Sequence, residues 1–261
     1  MTFQRSSRVL NCHQRRLRKL REKLQRFLQR NTNLSRRKAA EAIKSGHVKV
    51  NGEVITDPWV EIDSSSDILL DNKKVNISCE KRVVYALHKP AGVLTAMKDD
   101  RGRPTIADLI AGKIKEKVFH VGRLDKDTEG LLLLTNDGDF ANKVTHPSSE
   151  IEKTYIATVN ATLTEKELEA LRKGVTLRDG YNTSGAKVRL LKRKGKSTVV
   201  ELKIHEGHKR EVREMFRALN KRVIALKRTA IGDLKIDIVP KPGMLKKLSK
   251  EEVFRINKGD R

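Results

Sequence analysis

Cysteine is scarce in this sequence of 261 residues, which contains only Cys12 and Cys79. Neither lies in a Cys-x-x-Cys pair or beside a histidine, so the sequence implies no disulfide framework and no zinc site, and a reducing compartment is expected. The seven histidines form no His-Glu-x-x-His pattern. We therefore predict that the protein holds no metal site.

Long apolar runs and phosphate-binding loops are missing as well. No run approaches the roughly 20 apolar residues that a membrane-spanning helix needs. Because neither common type of glycine-rich phosphate loop occurs, we expect no nucleotide cofactor. Aromatic residues make up only 4% of the chain, which limits binding by repeated base stacking, whereas the 37% hydrophobic share is enough for a buried core.

Acidic residues are too few to balance the basic ones. The chain has 57 Lys and Arg against 33 Asp and Glu, which gives a formal net charge of +24. Such a charge favours a phosphate-rich polymer as partner, because each neutralised phosphate releases a counterion. An anionic membrane surface is the alternative, but only a basic N-terminal arm supports it. We therefore expect a nucleic-acid partner and no membrane association.

The first 21 residues carry seven basic residues and no acidic one, and they lack the apolar core of a secretory signal. Three interpretations stay open: an organellar transit peptide, a basic arm that touches RNA, and an extended start of the first helix. We expect a cytoplasmic protein of the bacterial type, with organellar import as the alternative.

Changes in pattern divide the chain into a basic extension (1–21), a small first domain (22–70), a polar linker (71–82) and a larger second domain (83–258). In the first domain, apolar residues at helical spacing predict a helix over roughly 15–30. A second helix is predicted over 36–45, because Ser35 is a suitable N-cap and Gly46 a suitable end.

Short strands complete the predicted first domain. The dipeptide Asn51-Gly52 tolerates positive φ angles and predicts the turn of a hairpin over 48–55. A further strand pair is predicted around 59–62 and 68–70.

The second domain shows a different pattern, with longer predicted strands and few predicted helices. Predicted strands cover 83–87, 131–135, 153–159, 188–191 and 198–204, and predicted helices cover 165–173 and 211–220. Because the strands run together and the helices are segregated, the pattern indicates an α+β fold rather than a βαβ array.

The start of the helix at 36–45 is dense in cations, with Arg36, Arg37 and Lys38 directly after Ser35. The positive end of the helix dipole disfavours cations there, and a bound phosphate would relieve the conflict. An ordinary solvated charged face is the alternative. The stretch 33–52 resembles the RNA-binding domain of ribosomal small-subunit protein four. The resemblance implies a set of contacts with structured RNA, namely Arg36, Arg37, Lys38, Lys44 and Lys49.

The most informative stretch of the second domain is Gly122-Arg123-Leu124-Asp125, which leads into the apolar run 131–134. Arg123 would hold the neighbouring Asp125 ionised, and an ionised Asp at the entrance of a rigid strand suits nucleophilic or general-base chemistry. A purely structural Asp–Arg pair is the alternative. The residues by themselves leave both interpretations open.

Four motifs in order resemble those of the RsuA/RluB/RluE/RluF pseudouridine synthases. They are Leu87-His88-Lys89-Pro90-Ala91-Gly92-Val93, the stretch from Gly122 to Leu131, Glu152-Lys153-Thr154-Tyr155 with the preceding His146-Pro147, and the run from Glu206 to Phe216. With the first domain, the resemblance covers about nine tenths of the chain. It implies a catalytic domain built on a mixed, largely antiparallel sheet.

The resemblance implies a cofactor-free isomerisation of uridine in RNA, with Asp125 as the essential carboxylate. Asp125 would either attack the flipped nucleoside or strip a proton from its sugar, and both routes stay open. Tyr155 would stack on the flipped base and help in the final proton removal. Arg123 would fill the gap in the RNA stack or bind a neighbouring phosphate. Such stabilising contacts are needed because extracting a base from the RNA stack costs a few kcal/mol.

A basic partner for Asp125 is also implied, and here the sequence departs from the family. The residue after Gly207 is His208, where relatives usually have Arg or Lys. Either His208 fills this role or Lys209, Arg210 or Arg213 does. The resemblance further assigns RNA contacts to Lys89, Lys209 and Arg210. Glu214 stands where relatives often have a second Arg, which weakens the expected RNA contact of this helix.

The expected substrate is a stem-loop of large-subunit ribosomal RNA, because the run 131–142 is more similar to the large-subunit enzymes of the RluB type. It is either free or part of a preribosomal particle, and we expect a monomeric enzyme. One alternative is a small-subunit ribosomal RNA target. Another is an inactive ribosome-assembly or RNA-binding factor on the same fold.

Overall fold

A computed structural model describes residues 22–32, 34–63, 65–76 and 81–257. The chain divides into two compact units, Met1–Glu80 and Lys81–Arg261, and each is described by itself. The predicted extension 1–21, both cysteines and the last residue of the predicted second domain lie outside the described residues.

Two helices form one layer of the first unit, α1 (Leu24–Asn31) and α2 (Arg36–Lys44). The predicted cap of α2 is confirmed, because the Ser35 side chain accepts a hydrogen bond from the Lys38 backbone N–H at 3.3 Å. Gly46 adopts φ 75° just after the helix, which completes the predicted end signal. The part of the first predicted helix before Glu22 lies outside the described residues.

A small antiparallel sheet forms the other layer. It consists of β2 (Val48–Val50), β3 (Glu53–Val54), β5 (Ile68–Leu70) and β6 (Lys73–Lys74), in the order β3-β2-β5-β6. Asn51 and Gly52 both have positive φ, 52° and 90°, so the predicted hairpin turn is confirmed. Apolar residues of both layers form one core cluster that includes Leu24, Ile43 and Val48.

Two predictions for this unit need correction. The predicted strand pair does not form, because β4 (Glu61–Ile62) pairs with β1 (Glu22–Lys23) while β5 pairs with β2 and β6. The predicted linker also begins too early. Asp71 and Asn72 form a turn with positive φ, and β6 then returns along β5. The stretch 71–74 is polar because its residues are exposed, not because it lies outside the fold.

Nine strands of the described second unit form one sheet. They are β7 (Val84–Lys89), β8 (Phe119–Val121), β9 (Glu129–Thr135), β10 (Lys153–Val159), β11 (Lys187–Lys194), β12 (Ser197–Ile204), β13 (Val223–Ile231), β14 (Leu234–Lys235) and β15 (Leu245–Lys247). The order is β11-β12-β10-β13-β9-β7-β15, with β8 on β9 and β14 on β13. Strands β9 and β13 pair in parallel and the other pairs are antiparallel. The predicted mixed, largely antiparallel sheet is confirmed.

The strand β9 explains the apolar run that dominates the sequence. Leu131 and Leu133 belong to one core cluster, and Leu132 and Leu134 belong to the cluster on the other face. All four are fully buried. A strand covered on both faces is apolar at every position rather than at alternate ones.

Five helices of the described second unit pack around this sheet. They are α3 (Ile106–Ile110), α4 (Gly138–Thr145), α5 (Glu165–Lys173), α6 (Glu211–Ala218) and α7 (Lys250–Asn257). The α5 bounds are those predicted, and its start carries a capping box between Thr164 and Glu167. Within the described parts of the chain, no helix is long and apolar enough to cross a membrane.

Candidate active site

Asp125 lies in the loop that joins β8 to β9. Its side chain is 29% exposed, and its Oδ2 lies 3.9 Å from Nη1 of Arg210. The Thr128 backbone N–H donates to the Asp125 carbonyl at 3.0 Å, which closes a turn just before β9. The carboxylate is thus open to solvent, close to a cation, and carried by a turn at the end of a buried strand.

Two hydrogen bonds from the segment after β7 hold this loop. The Thr95 hydroxyl donates to the Leu124 carbonyl at 2.7 Å, and Gly92 N–H donates to the Lys126 carbonyl at 2.8 Å. Thr95 is itself buried. Sequence reasoning missed Thr95, because a lone threonine in a polar loop carries no recognisable pattern.

Lys89 also holds this loop, through hydrogen bonds from its side chain. Its side chain is fully buried, and its Nζ donates to the carbonyls of Pro90, Lys126 and Thr128 at 2.8, 3.2 and 2.9 Å. Burial lowers the pKa of Lys89 to about 8, although nearby carboxylates oppose the shift. The prediction that Lys89 binds RNA is therefore wrong: its ammonium lies inside the protein and ties the Asp125 loop together.

The parallel pairing of β9 with β13 brings in a second buried cation. Gly130 lies opposite Arg228, and a Cβ on Gly130 would lie 2.2 Å from the Arg228 carbonyl oxygen, so only glycine permits this approach. Arg228 Nε donates to the Leu131 carbonyl at 2.8 Å, and its Nη1 lies 3.5 Å from the Tyr155 hydroxyl. Sequence reasoning missed Arg228, because Lys227 and Arg228 together interrupt the apolar pattern of this stretch.

Tyr155 lies half-buried on β10, next to β13. It packs against the core cluster that contains Leu124, the residue before Asp125. The structure therefore brings the predicted tyrosine and the predicted carboxylate to the same region of the second unit. Arg123 is exposed beside them on the Asp125 loop.

Two arginines of the last motif approach the Asp125 loop in different ways. Arg210 precedes α6, adopts φ 57°, and points its guanidinium toward Asp125. Arg213 is half-buried, and its Nη2 donates to the Asp127 carbonyl at 3.0 Å while Nη1 donates to the Val223 carbonyl at 3.0 Å. Burial, with Arg210 nearby, lowers the pKa of Arg213. Arg210 is thus the cation at the carboxylate, and Arg213 braces the loop backbone.

His208 points elsewhere. Its Nε2 lies 2.7 Å from Asp179 Oδ2, and its ring stacks on Tyr181 with the ring centroids 4.4 Å apart. This geometry corrects the prediction that His208 is the basic partner of Asp125, because the imidazole is already paired with another carboxylate.

The remaining predicted RNA contacts are placed on the surface or near it. In the first unit Arg36, Arg37, Lys38 and Lys44 are exposed and Lys49 is half-buried, and in the second unit Lys209 is exposed. Their contacts with RNA stay predictions. Among the residues that the structure describes, no three His, Cys, Asp or Glu side chains are grouped as a metal ion would require.

This arrangement suits nucleophilic or general-base chemistry on an anionic substrate. A solvent-accessible carboxylate lies 3.9 Å from the guanidinium of Arg210 and can act as a nucleophile or a base. Because the loop is fixed at Leu124, Lys126 and Thr128, the carboxylate needs little reorganisation to react.

Comparison with known proteins agrees with this chemistry. The model of the RNA pseudouridylate synthase family matches residues 83–218, and that of the S4 domain matches residues 22–69. Ribosomal large subunit pseudouridine synthase B of Bacillus subtilis is 44% identical over 209 residues, which span 79% of this chain and 84% of the relative. An uncharacterized RNA pseudouridine synthase of Aquifex aeolicus is 38% identical over 90% of this chain and 94% of its own.

A crystal structure of a pseudouridylate synthase gives the corresponding match in three dimensions. It superposes with a TM-score of 0.66 at 32% identity, and the match covers 90% of this chain and 99% of the other. Since the family model spans the Asp125 loop and the Arg210 motif together, the chain belongs to the RNA pseudouridylate synthases and carries an S4 domain in front of its catalytic domain.

Proposed function

We propose that the protein converts a uridine of ribosomal RNA to pseudouridine, in a stem-loop of the large-subunit RNA. The observation that carries the proposal is the Asp125 carboxylate, accessible to solvent and 3.9 Å from Arg210 on a loop with several anchors. The name of the Bacillus subtilis relative supports the choice of the large subunit. The +24 charge supports a folded RNA substrate.

In the proposed reaction Asp125 acts on the ribose of a flipped uridine. The bond from N1 of uracil to the sugar C1′ breaks, the uracil rotates in place, and a bond from its C5 to C1′ forms as C5 loses its proton and N1 gains one. Asp125 either attacks C1′ or removes the C2′ proton, and the two routes share every atom of substrate and product. The neighbouring Arg210 places a positive charge beside the reacting carboxylate.

Two other residues would hold the extracted nucleotide. Tyr155 stacks on the flipped uracil, and the buried Arg228 fixes its hydroxyl. The exposed Arg123 enters the gap in the RNA stack or binds a phosphate beside the target. These contacts offset the few kcal/mol that base extraction costs.

The S4 domain would supply affinity for the RNA. Its contacts are the cations at the start of α2 and beside it, namely Arg36, Arg37, Lys38, Lys44 and Lys49. We further propose that the enzyme works as a monomer in the cytoplasm. Light scattering of the purified chain and cell fractionation test these two statements.

Release of tritium from RNA labelled at C5 of uracil tests the function directly. The full chain should release tritium from large-subunit RNA, and Asp125→Asn should release none because it removes the reacting carboxylate. Asp139→Asn, the same chemical change on an exposed residue at the start of α4, is the matched control. Turnover by Asp125→Asn would overturn the assignment of Asp125. Release from small-subunit RNA alone would overturn the choice of target, and binding without release from any RNA would favour an assembly factor.

A further inference from the structure

The loop that presents Arg210 to Asp125 is held in an unfavourable conformation. Arg210 adopts φ 57°, in the left-handed region that costs a non-glycine residue about 1–3 kcal/mol. Such a conformation persists only where the surroundings fix it. The contacts that fix residues 206–210 therefore decide whether the Arg210 guanidinium stays beside Asp125.

Glu211 makes two of these contacts. Its Oε2 accepts a hydrogen bond from the His208 backbone N–H at 2.9 Å, and its own N–H donates to the His208 carbonyl at 3.2 Å. Residues 208 and 211 are thus joined twice, once through a side chain and once through the backbone, and Arg210 lies between them.

Glu206 ties the other end of the loop to the segment after α5. Its Oε1 accepts from the Ser184 backbone N–H at 3.1 Å. Its Oε2 is buried and, among the residues that the structure describes, makes no well-formed hydrogen bond, although the Tyr181 hydroxyl also interacts with the Glu206 carboxylate. An unpaired buried carboxylate oxygen is costly, so a donor is expected at this point.

Glu211 is positioned to be that donor. Its side chain is almost fully buried, with 5% of the residue exposed, and it lies within hydrogen-bond reach of Glu206. Burial, and then the charge of Glu206, raises the pKa of Glu211 to about 7. A proton on Glu211 satisfies the second oxygen of Glu206, while the other oxygen of Glu211 still accepts from His208.

We propose that Glu211 is a positioning residue: its protonated carboxyl joins Glu206 to the His208 backbone and so keeps Arg210 against Asp125. The proposal rests on the proposed function, and Glu211 acts through Arg210 without contacting the RNA. When the proton leaves, two adjacent buried carboxylates repel each other, and the loop gives up the left-handed conformation of Arg210.

Other charged groups near Glu211 affect its protonation, but they do not take over its contact with Glu206. His208, paired with Asp179, lies on the loop itself, and Tyr181 lies beside Glu206 on the opposite segment. From β10, the Lys153 ammonium interacts with Glu211, but it already donates to the His205 carbonyl at 2.7 Å. Burial lowers the pKa of Lys153, and the charge of Glu211 opposes this shift.

Single-turnover rates between pH 6 and pH 9 test the proposal. The wild-type rate should fall by roughly tenfold as pH rises through neutrality, because a small displacement of a charged group beside the reacting carboxylate has effects of this order. Glu211→Gln should give a flat profile at the high rate, since an amide donates to Glu206 and accepts from His208 at every pH. The pH profile of Glu206→Gln should be flat as well, because this variant removes the negative charge of Glu206 that repels an ionised Glu211.

Three comparisons make the outcome decisive. Glu201→Gln makes the same change on β12, where Glu201 forms an ion pair with Arg189 of β11, and it should keep the wild-type profile. Glu211→Ala should be slow at every pH, with RNA affinity within a few-fold of wild type. A fall that persists in both Glu211→Gln and Glu206→Gln belongs to His208 or another group and overturns the proposal. No tritium release by the wild type at any pH would instead overturn the proposed function.

Discussion

Cations occupy opposite environments in the two units of the chain. In the first unit Arg36, Arg37 and Lys38 lie exposed at the start of α2. In the second unit Lys89 and Arg228 are buried and donate to backbone carbonyls around the Asp125 loop. The sequence treats these residues alike, as members of a large basic excess. The structure separates a group that can meet phosphate from a group that organises a carboxylate.

The second group explains how the small Asp125 loop is held in place. Lys89 carries three donors and hydrogen-bonds to three carbonyls, of which the Lys126 carbonyl also accepts from the Gly92 N–H. Its positive charge also lies beneath two carboxylates, Asp125 and Asp127. Removing an exposed cation should therefore weaken RNA binding, whereas removing a buried one should weaken the fold and the chemistry.

The largest expected effect follows from replacing Lys89 with methionine, which has a similar length and no donors. The Pro90 and Thr128 carbonyls lose the Lys89 donor, whereas the Lys126 carbonyl keeps the Gly92 N–H. The cost is about 1–3 kcal/mol for an unsatisfied group. We expect a lower melting temperature and a single-turnover rate reduced roughly a hundredfold, because a displacement of about 1 Å has effects of this order. The dependence of RNA affinity on salt should stay unchanged.

Lys44→Met is the matched control, since it makes the same change on the exposed face of α2. It should keep the melting temperature and the rate at saturating RNA, and it should flatten the salt dependence. If Lys89→Met flattens the salt dependence instead, Lys89 binds RNA and the comparison fails.

The next effect concerns the two arginines near the site. Arg210→Gln removes the cation beside Asp125 and should slow turnover by roughly tenfold, with little change in stability because Arg210 is exposed. Arg213→Gln removes donors to the Asp127 and Val223 carbonyls and should lower the melting temperature as well as the rate. Thermal unfolding and single-turnover assays separate the two. Equal stability losses would mean that Arg210 is also structural.

The exposed cations at the start of α2 should affect RNA binding and not the reaction rate. A triple Arg36→Gln, Arg37→Gln, Lys38→Gln variant should lose affinity and reduce the slope of log K against log salt by about 0.7–0.9 for each phosphate that the variant no longer neutralises. The rate at saturating RNA should be preserved, because these residues belong to the S4 domain and not to the Asp125 loop. An unchanged slope would mean that α2 does not meet the RNA backbone.

Sequence reasoning recovered most of the fold, and it failed where partners are distant in the chain. The capped helix α2, the Asn51-Gly52 turn and the bounds of α5 and β10 depend on local patterns and were predicted. Strand β13 was missed because Lys227 and Arg228 interrupt its apolar pattern. Its pairing with β9 depends on a close approach at Gly130.

The residues of the candidate site also divide into those that a sequence motif located and those whose role depends on the folded structure. Motif resemblance located Asp125, Tyr155 and Arg123, but it could not say which cation faces Asp125, because that depends on the turn before α6. The left-handed conformation of Arg210 gives Arg210 the place beside the carboxylate, while His208 pairs with Asp179. Thr95 was invisible because its role depends entirely on its distance from Leu124 in the folded loop.

The dependence of stability on pH should distinguish the buried acid Glu211 from the buried bases Lys89 and Arg228. The pKa of Glu211 is raised from 4.5 to about 7. The unfolded chain therefore loses this proton first as pH rises, and the folded protein loses up to about 3 kcal/mol between these two values. Glu211→Gln should raise the melting temperature at pH 8.5 and leave it nearly unchanged at pH 4. A stabilisation that is independent of pH would contradict the raised pKa.

The smallest expected effect is that of His208→Arg. Asp125 would gain nothing from the new cation, because position 208 is paired with Asp179 and stacked on Tyr181, and an arginine preserves both kinds of contact. We expect single-turnover rates within about twofold of wild type and a pH profile that keeps its fall above neutrality. His208→Arg combined with Arg210→Gln gives the sharper test. If the added arginine restores the rate that Arg210→Gln loses, position 208 can reach Asp125 and the division of labour between the two residues is wrong.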